Sequence, residues 1–169
     1  MNGPLFPDVQ QIRIAKILII DDEAGDVRAL EWALRQAKFT NFRSISDPTR
    51  TKVEFGQFRP DIVLLDLNMP VMDGFAVLGQ LRELVPAGEF LPVLILTGEN
   101  TSETRNQALA AGASDFLGKP IDCTEVTLRI KNLLQTRLLH QQAQKIQAQL
   151  DALASARGKD VHTKPGPMT

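Results

Sequence analysis

The chain predicts an α/β fold: a doubly wound, five-stranded parallel sheet with an extended C-terminal helix. Three observations carry this expectation. Apolar runs at residues 16–20, 61–66, 91–96 and 114–118 alternate with segments of helical spacing, which implies right-handed βαβ crossovers. The runs are continuous rather than alternating, the pattern of strands covered on both faces. Each run also ends in polar residues: Asp21-Asp22, Asp66, Thr97 and Lys119-Pro120.

The elements follow in order. Residues 1–15 carry two prolines and little periodicity, and are expected to form a flexible N-terminal arm. After the acidic pair, Val27, Leu30, Ala33, Leu34 and Ala37 fall on one face of a helix. Residues 41–46 form a short, weakly apolar strand suited to the sheet edge, and Asp47-Pro48 supplies a helix cap followed by a proline. A helix from about Gly74 turns Phe75, Leu78, Leu81 and Val85 inward until Pro86 and Gly88 close it. The next helix, from about Ser102 to Ala111 with Gly112 as its stop, is poor in apolar residues and should pack loosely.

Asp122 and Glu125 open a last helix in a capping-box-like pattern. Val126, Ile130, Leu133 and Leu134 can cover the sheet, which places one domain at 16–138. Helical pattern continues to about Ala156, and Leu139, Ala143, Ile146, Leu150 and Leu153 repeat in steps of four and three. Residues 139–157 are therefore expected to be a helical extension, either a short coiled coil or a solvated linker. Residues 158–169 have the composition of a disordered tail.

Composition bounds the function. At 169 residues and 43% hydrophobic content, the chain fits a single core with extensions. Nineteen basic and twenty acidic residues give a net charge of -1, which offers no electrostatic footprint for nucleic acid or an anionic membrane. The apolar runs fall short of the roughly 20 residues that span a bilayer, and the first residues lack a basic flank and apolar core, so a cytoplasmic location is expected. The single cysteine, Cys123, can form neither an internal disulfide nor a cysteine-based metal site. His140 and His162, the two histidines, lie away from the strand ends and are not expected to act as bases or phosphodonors.

In open parallel sheets, residues closing successive strands meet in one crevice outside the carboxyl ends. That brings Asp21, Asp22, Asp66, Thr97 and Lys119 together. A carboxylate can accept a phosphoryl group as a nucleophile, and Asp66 is the candidate. Three carboxylates this close repel by about 4 kcal/mol per pair at 4 Å and an effective dielectric near 20. A hard divalent cation with oxygen ligands relieves this, and Mg²⁺ suits because it keeps waters and bridges to phosphoryl oxygens. Charge developing on the equatorial oxygens needs a cation and a donor, which Lys119 and Thr97 supply.

The ordered set Asp21-Asp22, Asp66 followed by Met69-Pro70 and Asp73-Gly74, Thr97, and Lys119-Pro120 resembles the receiver domain of two-component response regulators over about residues 16–138. The resemblance implies the flavodoxin-like strand order 2-1-3-4-5. It implies phosphorylation of Asp66 by a sensor histidine kinase or phosphotransfer protein. It implies Mg²⁺ held by Asp22 and Asp66 directly, by Asp21 mainly through water, and by the backbone carbonyl of Asn68. It further implies a cis Lys119-Pro120 peptide, Asn68, Gly98 and Glu99 flanking the phosphoryl group, and a switch in which Thr97 moves and Phe116 follows. Many receivers carry tyrosine at the place of Phe116; this chain has no tyrosine, so only packing can report the switch. A regulator that dimerises through its last helix, or feeds an effector downstream of it, fits the seam.

Three rivals meet opposing residues. A phosphatase of the haloacid dehalogenase type needs an aspartate two residues after the nucleophile, where Asn68 stands. A flavodoxin needs a loop rich in serine, threonine and glycine after the first strand, where this chain has Asp21-Asp22-Glu23-Ala24-Gly25. A docking-only pseudo-receiver would not need the complete set.

Overall fold

In the computed structural model, which describes residues 9–99 and 101–160, five parallel strands form one sheet in the order β2-β1-β3-β4-β5. The strands are β1 (Ile17–Ile20), β2 (Phe42–Ile45), β3 (Ile62–Asp66), β4 (Val93–Thr97) and β5 (Asp115–Gly118). The helices are α1 (Val9–Arg13), α2 (Ala24–Gln36), α3 (Thr51–Phe58), α4 (Gly74–Leu84), α5 (Ser102–Ala110) and α6 (Cys123–Asp160). A 3-10 turn, Pro48–Arg50, precedes α3, and Asp47 caps it through the Thr49 amide at 3.0 Å.

Every residue of β1, β3 and β4 is buried, as continuous apolar runs require of strands covered on both faces. The sheet divides the core in two. On one face Leu18, Leu65, Val77, Leu78, Leu81, Ile95 and Phe116 pack with α3, α4 and α5. On the other, Ile17, Ile19, Leu30, Leu34, Leu64, Val126, Ile130 and Leu134 pack with α2 and α6. At roughly 25 cal/mol per Å² of apolar area, these two layers are the main favourable term holding the strand ends in place.

Two departures from the sequence reading stand out. Residues 1–8 lie outside the described part, but Val9–Arg13, expected within a flexible arm, is helical and seats Ile12 against the α2–α6 layer. One anchoring side chain on a five-residue helix leaves no periodicity to read. At the other end, α6 continues to Asp160 rather than stopping near Ala156. Alanine is the strongest helix former, so the alanines at 152, 154 and 156 carry the helix to Gly158, and one glycine costs an exposed helix only about 1 kcal/mol. The rest of the tail, residues 161–169, lies outside the described residues.

Leu139, Ile146, Leu150 and Leu153 are between 43% and 63% exposed, and Ala143 is exposed too, so none of the described residues covers the seam. The base of the extension is held instead. Arg137 bonds the Phe90 carbonyl and lies 3.4 Å from Asp61, while His140 contacts the Gly88 carbonyl at 2.9 Å and the edge of the Phe90 ring. No helix among the described residues is long and apolar enough to cross a membrane.

Candidate functional site

Strand register builds the site. Ile20 pairs with Leu65, Asp66 with Leu96, and Thr97 with Gly118, so the residues ending β1, β3, β4 and β5 lie on one rim. Asp21 is 1% exposed, Asp66 4% and Thr97 fully buried, whereas Asp22 is exposed. Asp21, Asp22 and Asp66 each place a carboxylate oxygen within 4.8 Å of the others. Three hard oxygen donors at this spacing suit a small divalent cation such as Mg²⁺.

Lys119 enters from the far side. The Lys119-Pro120 peptide is cis, and the Lys119 amide donates to the Thr97 carbonyl at 2.8 Å. Its Nζ lies 2.6 Å from Asp26, 2.9 Å from Asp21 and 3.5 Å from Asp66. Burial alone would lower the lysine's pKa, but the hydrogen bonds to Asp26 and Asp21 and the charges of Asp21 and Asp66 outweigh it, so the pKa is raised. Lys119 therefore stays cationic. Burial is also the main reason that Asp21 and Asp66 have raised pKa values, against the lowering effects of Lys119 and of the Glu23 and Asn68 amides. The Asp22 charge pushes Asp66 further up. Buried carboxylates held apart from full neutralisation are poised for a cation or for an electrophile.

The Thr97 hydroxyl oxygen accepts from the Asn68 side-chain amide at 3.1 Å and from the Glu99 backbone amide at 3.2 Å. Both contacts use the oxygen as acceptor, which leaves the hydroxyl proton for another partner. Asn68 also donates its backbone amide to Asp66 at 3.3 Å. Gly98 and Glu99 are exposed beside it, and Asn68 and Glu99 line an open cleft of about 890 Å³ between the loop after β3 and α5. Phe116 is only 2% exposed, with the Arg105 guanidinium 5.8 Å from its ring centre. The ring is thus already inside the core, so a large outward-to-inward swing has no starting point here.

The structure brings Asp21, Asp22, Asp66, Asn68, Thr97 and Lys119 together at this rim, with Phe116 buried in the core. Asp26 is the member that sequence reading missed. It lies in the first turn of α2, where acidic residues are common because they favour the helix dipole, so the sequence carries no separate signal for it. His140 packs against residues 88–90, at the sheet end opposite this rim, and His162 lies outside the described residues. Cys123 is a free, half-buried thiol packed on the α2–α6 layer.

The match to known proteins covers this same region. The family described as response regulator receiver domain matches residues 17–131. The response regulator PleD of Caulobacter vibrioides is 37% identical over 125 residues, 74% of this chain and 27% of PleD. The transcriptional regulatory protein PrrA of Mycobacterium tuberculosis is 34% identical over 122 residues, 72% of this chain and 51% of PrrA. The chain thus spans between a quarter and about half the length of these relatives. Among solved structures, the chemotaxis protein CheY4 of Vibrio cholerae superimposes with a TM-score of 0.65 at 27% identity, covering 71% of this chain and 98% of CheY4. The CheX-CheY-BeF3-Mg²⁺ complex of Borrelia burgdorferi matches with a TM-score of 0.65 at 25% identity, covering 70% of this chain and 88% of that one.

Proposed function

The chain belongs to the response regulator receiver domain family, and we propose that it is a phosphorylation-controlled switch that accepts a phosphoryl group on Asp66 from a sensor histidine kinase or phosphotransfer protein. The observation that carries this reading is the placing of a buried strand-end carboxylate, two further aspartates, a lysine and a threonine around one rim. An Asp66 oxygen forms the new P–O bond while the bond from phosphorus to the donor nitrogen breaks; the electron pair leaves with the donor imidazole. Lys119 neutralises charge on the phosphoryl oxygens, and the free proton of Thr97 is donated to one of them. Asp66 needs no base because it reacts ionised.

Asp22 and Asp66 would hold Mg²⁺ directly, with Asp21 through water and the Asn68 carbonyl completing the set. The bound ion supplies positive charge that offsets the carboxylates and the incoming phosphoryl group. The BeF3 and Mg²⁺ named with the Borrelia burgdorferi relative support this assignment. Glu99, Gly98 and Asn68 flank the phosphoryl group and set how water reaches it. Asp66 phosphorylation draws on Thr97, and the packing of Phe116 and α5 reports it.

The receiver proper is assigned to 16–138 and a helical extension to 139–157. The bare seam on that extension supports self-association of two copies, or connection to an effector of the kind a longer relative would carry. A cytoplasmic location follows from the kinase donor this reading requires. The chain does no chemistry beyond its own phosphorylation and dephosphorylation.

The test is labelling with acetyl phosphate followed by mapping of the adduct. Labelling confined to Asp66, lost in Asp66→Asn and suppressed by excess chelator, supports the proposal. Stable labelling of Asp66→Asn would overturn the assignment of Asp66, and a wild type that takes no label would favour the docking-only alternative.

A further inference from the structure

We propose that Asp26 is a positioning residue that holds Lys119 in the resting protein and gives it up to the phosphoryl group on Asp66. This rests on the reading of Asp66 as phosphoacceptor. The shortest contact of the lysine ammonium is with Asp26, at 2.6 Å, while Asp66 is the most distant of its three carboxylates at 3.5 Å. Charge-assisted N–H···O bonds run at about 2.7–2.9 Å, so Asp26 and Asp21 hold proper bonds to the ammonium and Asp66 does not. The resting lysine is thus docked on the helix rather than on the nucleophile.

The surroundings explain why this hold is firm but reversible. Asp26 lies in the first turn of α2, where the positive end of the helix dipole stabilises its charge and the helix backbone fixes its position. Its side chain is 31% exposed, against 1% for Asp21 and 5% for Asp66. Water can therefore take over the Asp26 carboxylate when the lysine leaves, whereas Asp21 has no such replacement. A phosphoryl group brings about -1.5 to -2 of charge and three acceptor oxygens to Asp66, enough to compete with one half-solvated carboxylate. Until then, Asp26 keeps the ammonium from settling on Asp66, so Asp22 and Asp66, the two aspartates that would ligate the ion directly, hold no close lysine bond.

Two consequences of opposite sign follow for Asp26→Asn. With its outer anchor gone, Lys119 keeps Asp21 and closes onto Asp66, so Mg²⁺ binds more weakly, by about threefold to tenfold. At saturating Mg²⁺ the freed lysine is available to an anion, so beryllofluoride binds more tightly by a similar factor. Loss of a negative charge would by itself also weaken Mg²⁺ binding and strengthen beryllofluoride binding, without any role for Lys119. A double-mutant cycle separates the two.

Mg²⁺ affinity and beryllofluoride affinity are measured by calorimetry in wild type, Asp26→Asn, Lys119→Ala and the double variant, with Asp26→Ser as a second neutral substitution. The proposal expects both shifts in the wild-type background and, at least for Mg²⁺, a shift below about twofold once Lys119 is absent. Equal shifts with and without Lys119, or no shift in either background, overturn it. A wild-type protein that binds neither Mg²⁺ nor beryllofluoride overturns the phosphoacceptor reading along with it.

Discussion

The two helices that flank Asp66 are held to the sheet very differently. α4 buries Val77, Leu78 and Leu81 completely, and its first residue, Gly74, lies against the backbone of Asp66 and Leu67. α5 buries only Ala108, leaves Leu109 43% exposed, and is closed by Gly112 at a φ of +102°. One helix is part of the core and the other is laid on it. Segments that move are drawn from the low-stability end of a structure. Thr97, Phe116 and Arg105 all sit on the α5 side, so α4 anchors the proposed phosphoacceptor and α5 is free to report on it.

The comparison breaks first on stability. Leu78→Ala should cost about 2–5 kcal/mol in denaturant unfolding, because the site cannot collapse around the void. Leu109→Ala should stay within about 0.5 kcal/mol. Similar losses in both would mean that the helices are equally anchored.

Gly74→Ala sharpens the role of α4. A Cβ there would come within 2.5 Å of the Asp66 carbonyl oxygen and the Leu67 Cα, so backbone must move. The expected cost is about 1–3 kcal/mol, with a loss of phosphoryl acceptance. Gly79→Ala is the control: it lies in the same helix with nothing within 4 Å, and should stabilise by about 0.5–1 kcal/mol.

The carboxylate rim adds a charge effect. Burial raises the pKa of Asp21 and Asp66, so their contribution to stability is fully present below the unfolded value of about 3.9 and is lost as pH rises through the folded values. In metal-free protein, Asp66→Asn should therefore stabilise at pH 7 and do little at pH 4. Mg²⁺ at about ten times its Kd should return roughly 1.4 kcal/mol to wild type at pH 7, read as a rise in Tm. Asp22→Ala should lose most of that rise; an equal rise would remove Asp22 from the metal site.

Much of this arrangement was legible in the sequence because strands buried on both faces write themselves as unbroken apolar runs, and their closing residues can be read directly. Asp66, Thr97 and Lys119 were found that way, and the loose packing of α5 followed from its lack of apolar residues. What stayed hidden depends on long-range contacts. Asp26 looks like any first-turn acid until the chain brings Lys119 to it from 93 positions away. The seating of α1 through Ile12 and the docking of His140 on the loop at Phe90 are likewise single contacts without a period.

The smallest expected effect on the fold lies farthest from both helices. Ile146→Asp with Leu150→Asp should leave Tm nearly unchanged, since both side chains are exposed. It should nonetheless abolish a weak dimer in sedimentation, because a few modest apolar residues leave little surplus after association costs. A wild type that stays monomeric at high micromolar concentration, phosphorylated or not, would leave the extension as a linker.

The most direct test of the account is amide hydrogen exchange with and without beryllofluoride and Mg²⁺, comparing wild type with the Thr97→Ala, Lys119→Ala double variant. The account predicts changes in wild type across α5, β5 and Phe116, with the core of α4 unaltered, and loss of the α5 and β5 changes in the variant. Undiminished changes around Phe116 in the double variant, or changes centred on α4 in wild type, would contradict it.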